Sequence, residues 1–315
     1  MDLVYNSFAR TGADRMLWRM DAGRLRILCY HGLCEDAFNK EPWVPSYFVS
    51  CSAFARQLEF LRRNAVVLPL FEAVTLLRTG SLPPRSVSIT FDDGYANNLH
   101  LAHPMLRAYE VPATIFLASA YIESGELYPF LRLKLIRLLG QVAPTLPDYK
   151  ANPLDVVMRA AAPSWPEVAA RLPREQYEAL RPLYVEEVRP ADRSLIEFGA
   201  HGHTHCILGN ETPERRREEI RTSVAKVHEW TGAAVRVFSY PNGERGDFGE
   251  SDKETLRETG VKVAVTGMAG ANSRNFDPLA LRRYPLTMHH GDAAFRAEVS
   301  GFRSGLRAVV ARMTG

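Results

Sequence analysis

The sequence predicts an α/β protein built on a parallel sheet or barrel, and three observations carry that expectation. Seven short apolar, β-leaning runs recur along the chain. Helix-patterned stretches separate most of them, the alternation that parallel strands require. The residues able to do chemistry fall at or just past the C-terminal ends of several runs, where a parallel barrel places its active site.

The first run, Leu25–His31, ends in Tyr30-His31. Ser52 then suits the N-cap of a helix that carries Phe54, Leu58 and Leu61 on one face. The second run, Val87–Asp93, ends in two adjacent carboxylates, a glycine and Tyr95. The third, Pro112–Ser119, leads into the long stretch 120–195. There Leu127, Phe130, Leu131, Leu133, Leu135 and Ile136 make an apolar surface laced with Arg132, Lys134 and Arg137, and prolines from Pro144 to Pro166 punctuate the residues after it. This reads as a helical insertion (120–195) inside one domain spanning 1–315. It is expected to cap the pocket and to offer its three cations to an anionic carrier such as a pyrophosphate.

The fourth run, Ile196–His201, opens the series His201, His203, His205. Thr212 followed by Pro213 gives an N-cap and a first-turn proline. Ile220, Val224, Val227 and Trp230 form that helix's buried stripe, and Gly232 ends it. The last three runs are Val235–Pro241, Lys262–Gly267 and Leu279–Leu286, with His289 just beyond.

Composition narrows the function. The 315 residues are 46% hydrophobic and 24% charged, an ordinary globular balance. A net charge of +3, from 39 basic and 36 acidic residues, gives no bulk attraction to nucleic acid. The four cysteines form no Cys-x-x-Cys pair and read as reduced thiols. Arg10, Asp14, Arg15, Arg19, Asp21 and Arg24 interrupt any export signal, and no apolar run is long enough to span a bilayer. The expectation is a cytoplasmic protein. The basic, amphipathic run Phe302–Arg312 offers peripheral contact with the inner face of a membrane.

The carboxylates and histidines point to a metal hydrolase. Two adjacent acids at a strand end repel one another, so a fold keeps them where a cation sits or where one must act as a base. One carboxylate with His201 and His205, placed four apart on a short helical turn, makes a three-ligand divalent site with open positions. The other carboxylate, held off the ion, is available to take a proton from water. His203 would point away from that pair on a helix, given about 100° per residue.

These same residues carry a resemblance. Thr90-Phe91-Asp92-Asp93-Gly94, His201-x-x-x-His205 and Tyr240-Pro241-Asn242-Gly243 resemble the first three motifs of the polysaccharide deacetylases of carbohydrate esterase family 4, the NodB-homology domain. Tyr30-His31, Pro112–Leu117 and Leu281-Arg282-Arg283 are similar to that family as well. The resemblance implies a distorted seven-stranded (β/α) barrel. It implies a zinc-like ion on Asp93, His201 and His205, with cobalt, nickel or manganese as other occupants, and Asp92 as general base. His289 would be the general acid. His31, Tyr95, Tyr240 and Pro241 would bind substrate. Where many members carry an arginine in the third motif this chain has Ser239, and Arg283 is expected to take over the task of orienting the base. The implied reaction removes an acetyl-type group from an amino sugar, which in a cytoplasmic setting is an oligosaccharide, a lipid-linked sugar or a nucleotide sugar.

Other readings fit less well. An aspartyl phosphotransferase needs its aspartates one residue apart, and a serine hydrolase needs a Gly-x-Ser-x-Gly elbow, which the chain lacks. A degenerate carbohydrate-binding barrel, or a deformylase or amidohydrolase acting on another C–N bond, remain the alternatives.

Overall fold

The structure, a computed structural model, describes Met16, Trp18, residues 23–139 and residues 146–302. Seven parallel strands form a closed barrel. They are β1 (Arg26–Tyr30), β2 (Ser86–Phe91), β3 (Ala113–Leu117), β4 (Ile196–Ala200), β5 (Val237–Ser239), β6 (Val263–Ala269) and β7 (Leu281–Pro285). Each lies inside or nearly inside one of the seven runs read from the sequence. The order around the barrel is β1-β7-β6-β5-β4-β3-β2, and β1 pairs with β2 to close it. Five consecutive residue pairs, Arg26 with Val87 through Tyr30 with Phe91, set that closing register.

Strands buried on both faces read as continuous apolar runs, and β1, β2 and β3 are buried throughout. Helices pack outside. The helix Cys51–Asn64 buries Phe54, Leu58 and Leu61, as its periodicity predicts. Its cap is Ser50, whose side chain accepts from Ala53 N, and not Ser52, whose hydroxyl donates to Asp36 Oδ1 at 2.7 Å. The helix Pro213–Thr231 has the expected cap at Thr212, the expected buried stripe and a left-handed Gly232 at its end. Two features were not legible. Val66–Val67 adds a short strand outside β2, and Leu33–Cys34 pairs with Val49–Ser50 in a separate two-stranded ribbon.

The stretch between β3 and β4 is helical, with helices at Ser119–Ser124, Pro129–Leu139, Leu154–Ala161, Trp165–Arg171, Arg174–Leu180 and Val185–Val188. The first five of these helices share a buried cluster built on Tyr128, Leu131, Leu135, Val157 and Val168, while Val188 joins the main core. The three cations do not face the pocket. Arg132 is buried against Glu126 at 2.7 Å and lies over the Trp165 ring. Lys134 donates to Val44 O at 2.6 Å, and Arg137 is exposed. The apolar side chains of Pro129–Leu139 are drawn into the buried cluster, so the charges between them are spent on neighbouring backbone and carboxylates. Among the described residues no helix is long and apolar enough to cross a membrane. The N-terminal charges other than Arg24 and, apart from Phe302, the C-terminal amphipathic run lie outside the described residues.

Gly199 shows how tightly the β3–β5 side is packed. A Cβ there would fall 2.6 Å from Phe116 Cδ1 and 2.7 Å from Val237 Cγ2. Gly199→Ala should therefore lower unfolding free energy by about 1–3 kcal/mol, the usual cost of overpacking. Urea denaturation of the purified variant measures this, and an unchanged midpoint would mean that the neighbouring side chains give way freely.

Candidate active site

Asp92 and Asp93 follow directly on β2, and the chain separates them. Asp93 has φ +72° and Gly94 also φ +72°, so the backbone enters the left-handed region at a non-glycine residue. Both carboxylates are buried. They meet different partners.

Asp92 is paired with Arg283 from β7. The guanidinium donates to both carboxylate oxygens, at 2.7 and 2.6 Å. The rest of the guanidinium is fixed by Thr266 O at 2.8 Å, Thr90 Oγ1 at 3.2 Å and Ser239 Oγ at 3.1 Å. Burial opposes ionisation of Asp92, but Arg283 outweighs it and holds the carboxyl well below the usual carboxylate range. Ser239 thus stands beside the guanidinium instead of supplying one.

Asp93 faces two imidazoles. Its Oδ1 lies 3.3 Å from His201 Nε2 and 3.1 Å from His205 Nε2, yet is hydrogen-bonded to neither. The far side of the His201 ring fixes its neutral tautomer. His201 Nδ1 is 2.7 Å from Ser239 O, which can only accept, so Nδ1 carries the proton and Nε2 presents a lone pair. With His205 Nε2 beside it, three atoms able to ligate an ion converge in a buried place. Ligands at the usual 2.0–2.2 Å from one tetrahedral ion sit roughly 3.3–3.6 Å apart, close to the separations seen. The donor set, its spacing and the orphaned Oδ1 all fit a divalent cation. Burial works against charge on His201, and Asp92 and Asp93 overcome it and raise its proton affinity. The same negative field would attract a metal ion.

The two histidines are not on a helical turn. Residues 201–207 form an irregular loop. Gly202 and His205 take φ of +73° and +56°, which folds His205 back toward His201. Buried Glu219 fixes the loop by accepting from His203 N, Thr204 N and Thr204 Oγ1 at 2.9, 2.7 and 2.8 Å. His203 Nδ1 turns away from the pair to Ser119 Oγ at 2.8 Å.

These groups open into a cavity of about 340 Å³ whose walls include His31, Asp92, Asp93, His201, His205 and Arg283. A ring nitrogen of His31 lies within 4.8 Å of an Asp92 carboxylate oxygen. Its backbone carbonyl accepts from Asn98 Nδ2 at 2.7 Å, and its Nδ1 is buried without a partner. Burial lowers the proton affinity of His31, with Asp93 and Asp92 pulling the other way.

The structure does not bring the remaining expected residues to the cavity wall. His289 is exposed and lies with Asn39, Lys40, Glu41 and Pro42 at a different surface hollow. The turn after β7 carries it past the barrel mouth, so the run Leu286–His289 leads away from the site. Tyr95 is buried behind the cavity, with its hydroxyl 3.2 Å from that of Tyr47, and Tyr47 makes the wall. Tyr240 is a core residue that stacks on Phe248 and donates to Leu279 O at 3.1 Å. Pro241 packs under Gly202, and the next residue, Asn242, reaches the cavity instead. Sequence reasoning also missed Cys29, Phe130, Tyr149 and Lys150 on the wall. Strand alternation in β1 could have pointed to Cys29. Nothing local marks the other three.

The profile of the polysaccharide deacetylase family matches residues 79–264, which include both carboxylates and both histidines. The chain belongs to that family. Bacillus subtilis (strain 168) YxkH, which carries a provisional polysaccharide deacetylase name, is 22% identical over 282 residues, 89% of this chain and 77% of that protein. A poly-beta-1,6-N-acetyl-D-glucosamine N-deacetylase of Staphylococcus aureus is 34% identical over 86 residues, 27% of this chain and 30% of that protein. Two solved structures share the fold. The Streptococcus pyogenes deacetylase PplD in complex with acetate has a TM-score of 0.62 at 16% identity, covering 88% of this chain and 98% of that one. IcaB from Ammonifex degensii has a TM-score of 0.59 at 20% identity, covering 88% and 97%.

Removing Arg283 leaves Asp92 as a buried, uncompensated charge. Arg283→Met should cost about 3–5 kcal/mol of stability. Adding Asp92→Asn should restore much of it, because the orphaned charge is then gone. Denaturant midpoints of the single and double variants test this, and equal losses in both would dissociate Arg283's stabilising role from Asp92.

Proposed function

We propose that the protein is a metal-dependent N-deacylase that removes an acetyl-type group from an amino sugar in a glycan or glycoconjugate. One observation carries the reading: three buried acceptor atoms, Asp93 Oδ1, His201 Nε2 and His205 Nε2, converge beside a carboxylate clamped by an arginine. Family membership and the names borne by its relatives, poly-beta-1,6-N-acetyl-D-glucosamine N-deacetylase among them, support the substrate class. Asp93, His201 and His205 would hold the ion. Two nitrogens and one oxygen suit zinc, with cobalt, nickel or manganese as substitutes. Such an ion supplies a Lewis acid that acidifies water and polarises an acyl carbonyl.

The chain's own groups divide the remaining work. Asp92 accepts the proton of the attacking water. The pairing that keeps Asp92 ionised and aimed also makes it a weak base, so it suits a water that is already acidified. Attack forms the new C–O bond at the acyl carbon. Collapse breaks the C–N bond, and the amine leaves with a proton, giving a carboxylate and a free amino sugar. His31 takes the donor role expected of His289, because among the described residues it is the imidazole on the cavity wall outside the ligand set. Phe130, Tyr47 and Tyr149 give the sugar ring apolar faces to lie on. The substrate is an N-acetylated oligosaccharide or a lipid- or nucleotide-linked sugar, and Lys150 on the rim replaces Arg132, Lys134 and Arg137 as the cation available to an anionic group.

Two measurements test this. Asp92→Asn should keep the metal, by elemental analysis, and lose acetate release from N-acetylglucosamine oligomers by roughly 10²–10⁴-fold. Near-normal turnover would assign the proton to another group. In the same assay His31→Ala should lose activity on that scale while His289→Ala stays close to the unmodified protein. The reverse ranking would return the acid role to His289.

A further inference from the structure

The two imidazoles of the candidate metal site are held by different parts of the chain. His201 belongs to the barrel: it leaves β4, and Ser239 O at the end of β5 fixes its Nδ1 at 2.7 Å. His205 is held by the insertion. Its Nδ1 is 2.7 Å from the Tyr149 hydroxyl, and that hydroxyl also hydrogen-bonds His205 O. The proton count settles the direction of both bonds. A carbonyl only accepts, so the single hydroxyl proton goes to His205 O. The hydroxyl oxygen then accepts from Nδ1–H, which leaves the Nε2 lone pair facing Asp93 Oδ1 at 3.1 Å.

The segment carrying Tyr149 is fastened to the loop carrying His205. Asn210 Nδ2 donates to Lys150 O at 3.1 Å and to Asn152 O at 3.3 Å. Leu154 N donates to Glu211 Oε1 at 2.9 Å. Phe130, from the same insertion, packs its ring 5.2 Å from that of His205. Residues 149–154 thus form a strap along residues 205–211.

We infer that Tyr149 is a positioning residue for His205, and that the strap of residues 149–154 sets the protein's affinity for its divalent ion. The inference rests on the metal reading above. Without the hydroxyl, Nδ1–H has no acceptor, and the tautomer with its proton on Nε2 becomes competitive. In that form His205 donates to Asp93 instead of ligating. Outer partners of ligand histidines carry this kind of control over affinity.

The test is a zinc titration of metal-free protein against a chromophoric chelator. Tyr149→Phe should bind about 10–100-fold more weakly. It should still fold, by circular dichroism and a cooperative melt of the metal-free protein, and its Co²⁺ absorption spectrum should be altered. An affinity within about twofold of the unmodified protein would overturn the inference, since removal of such a partner costs about tenfold or more. Should Tyr149→Phe fail to fold, Asn210→Ala loosens the strap from outside the cavity. Weaker zinc binding there supports the inference, and unchanged binding overturns it. The two levels separate cleanly. Unmodified protein that takes up no divalent ion defeats the metal reading and this one together. Loss of the ion in His205→Ala with full retention in Tyr149→Phe defeats this one alone.

Discussion

Two neighbouring carboxylates buried at the end of one strand cannot share a counter-charge, and much of the site follows from that. A buried charge must be paired and hydrogen-bonded, or it is neutralised. Here the chain turns through a left-handed residue at Asp93 and sends the two acids to separate partners. Asp92 takes Arg283 in a two-point clamp, and Asp93 faces the histidine pair, where a bound cation would balance its charge. Meeting both demands requires β2, β4 and β7 to end around one mouth. An open sheet in this order would leave β7 far from β2. Closure through β1 leaves only that strand between them, so Thr90 and Asp92 at the β2 end can both receive Arg283.

The barrel was legible because most strand residues are buried and so read as largely apolar runs between turn residues. The carboxylates and histidines were legible for the complementary reason, since charge at such a strand end has few structural uses. The rest depended on packing that local sequence does not encode. His289 and Tyr240 sit at motif positions, yet chain direction after β7 and the stacking of Tyr240 on Phe248 take both away from the cavity. His201 and His205 were expected on a helical turn because they are spaced four apart. Two left-handed residues and the Glu219 carboxylate achieve the same approach without a helix. Tyr149 lies in a proline-punctuated stretch with no periodicity, so only the folded strap shows where it goes.

The insertion divides into two kinds of surface. The helix Pro129–Leu139 and its neighbours build a small core together with Trp43, Val44 and Phe48, which occupies Arg132 and Lys134. A rim of Phe130, Tyr149 and Lys150 faces the cavity. Apolar rings next to a candidate ligand exclude water from one side of it, which strengthens every electrostatic interaction inside. The insertion is therefore both the wall a sugar would meet and the support of His205.

Ser239 and Arg283 bear on how such a site can change over generations. The serine leaves room beside Asp92, and the guanidinium arrives from β7 to fill it. An arginine at 239 with Arg283 retained would press two cations onto one carboxylate, whereas losing Arg283 alone strands the acid. The two arrangements are thus separated by a valley that neither single substitution crosses cheaply. Lineages should carry the cation on one strand or the other, and the two positions should vary together.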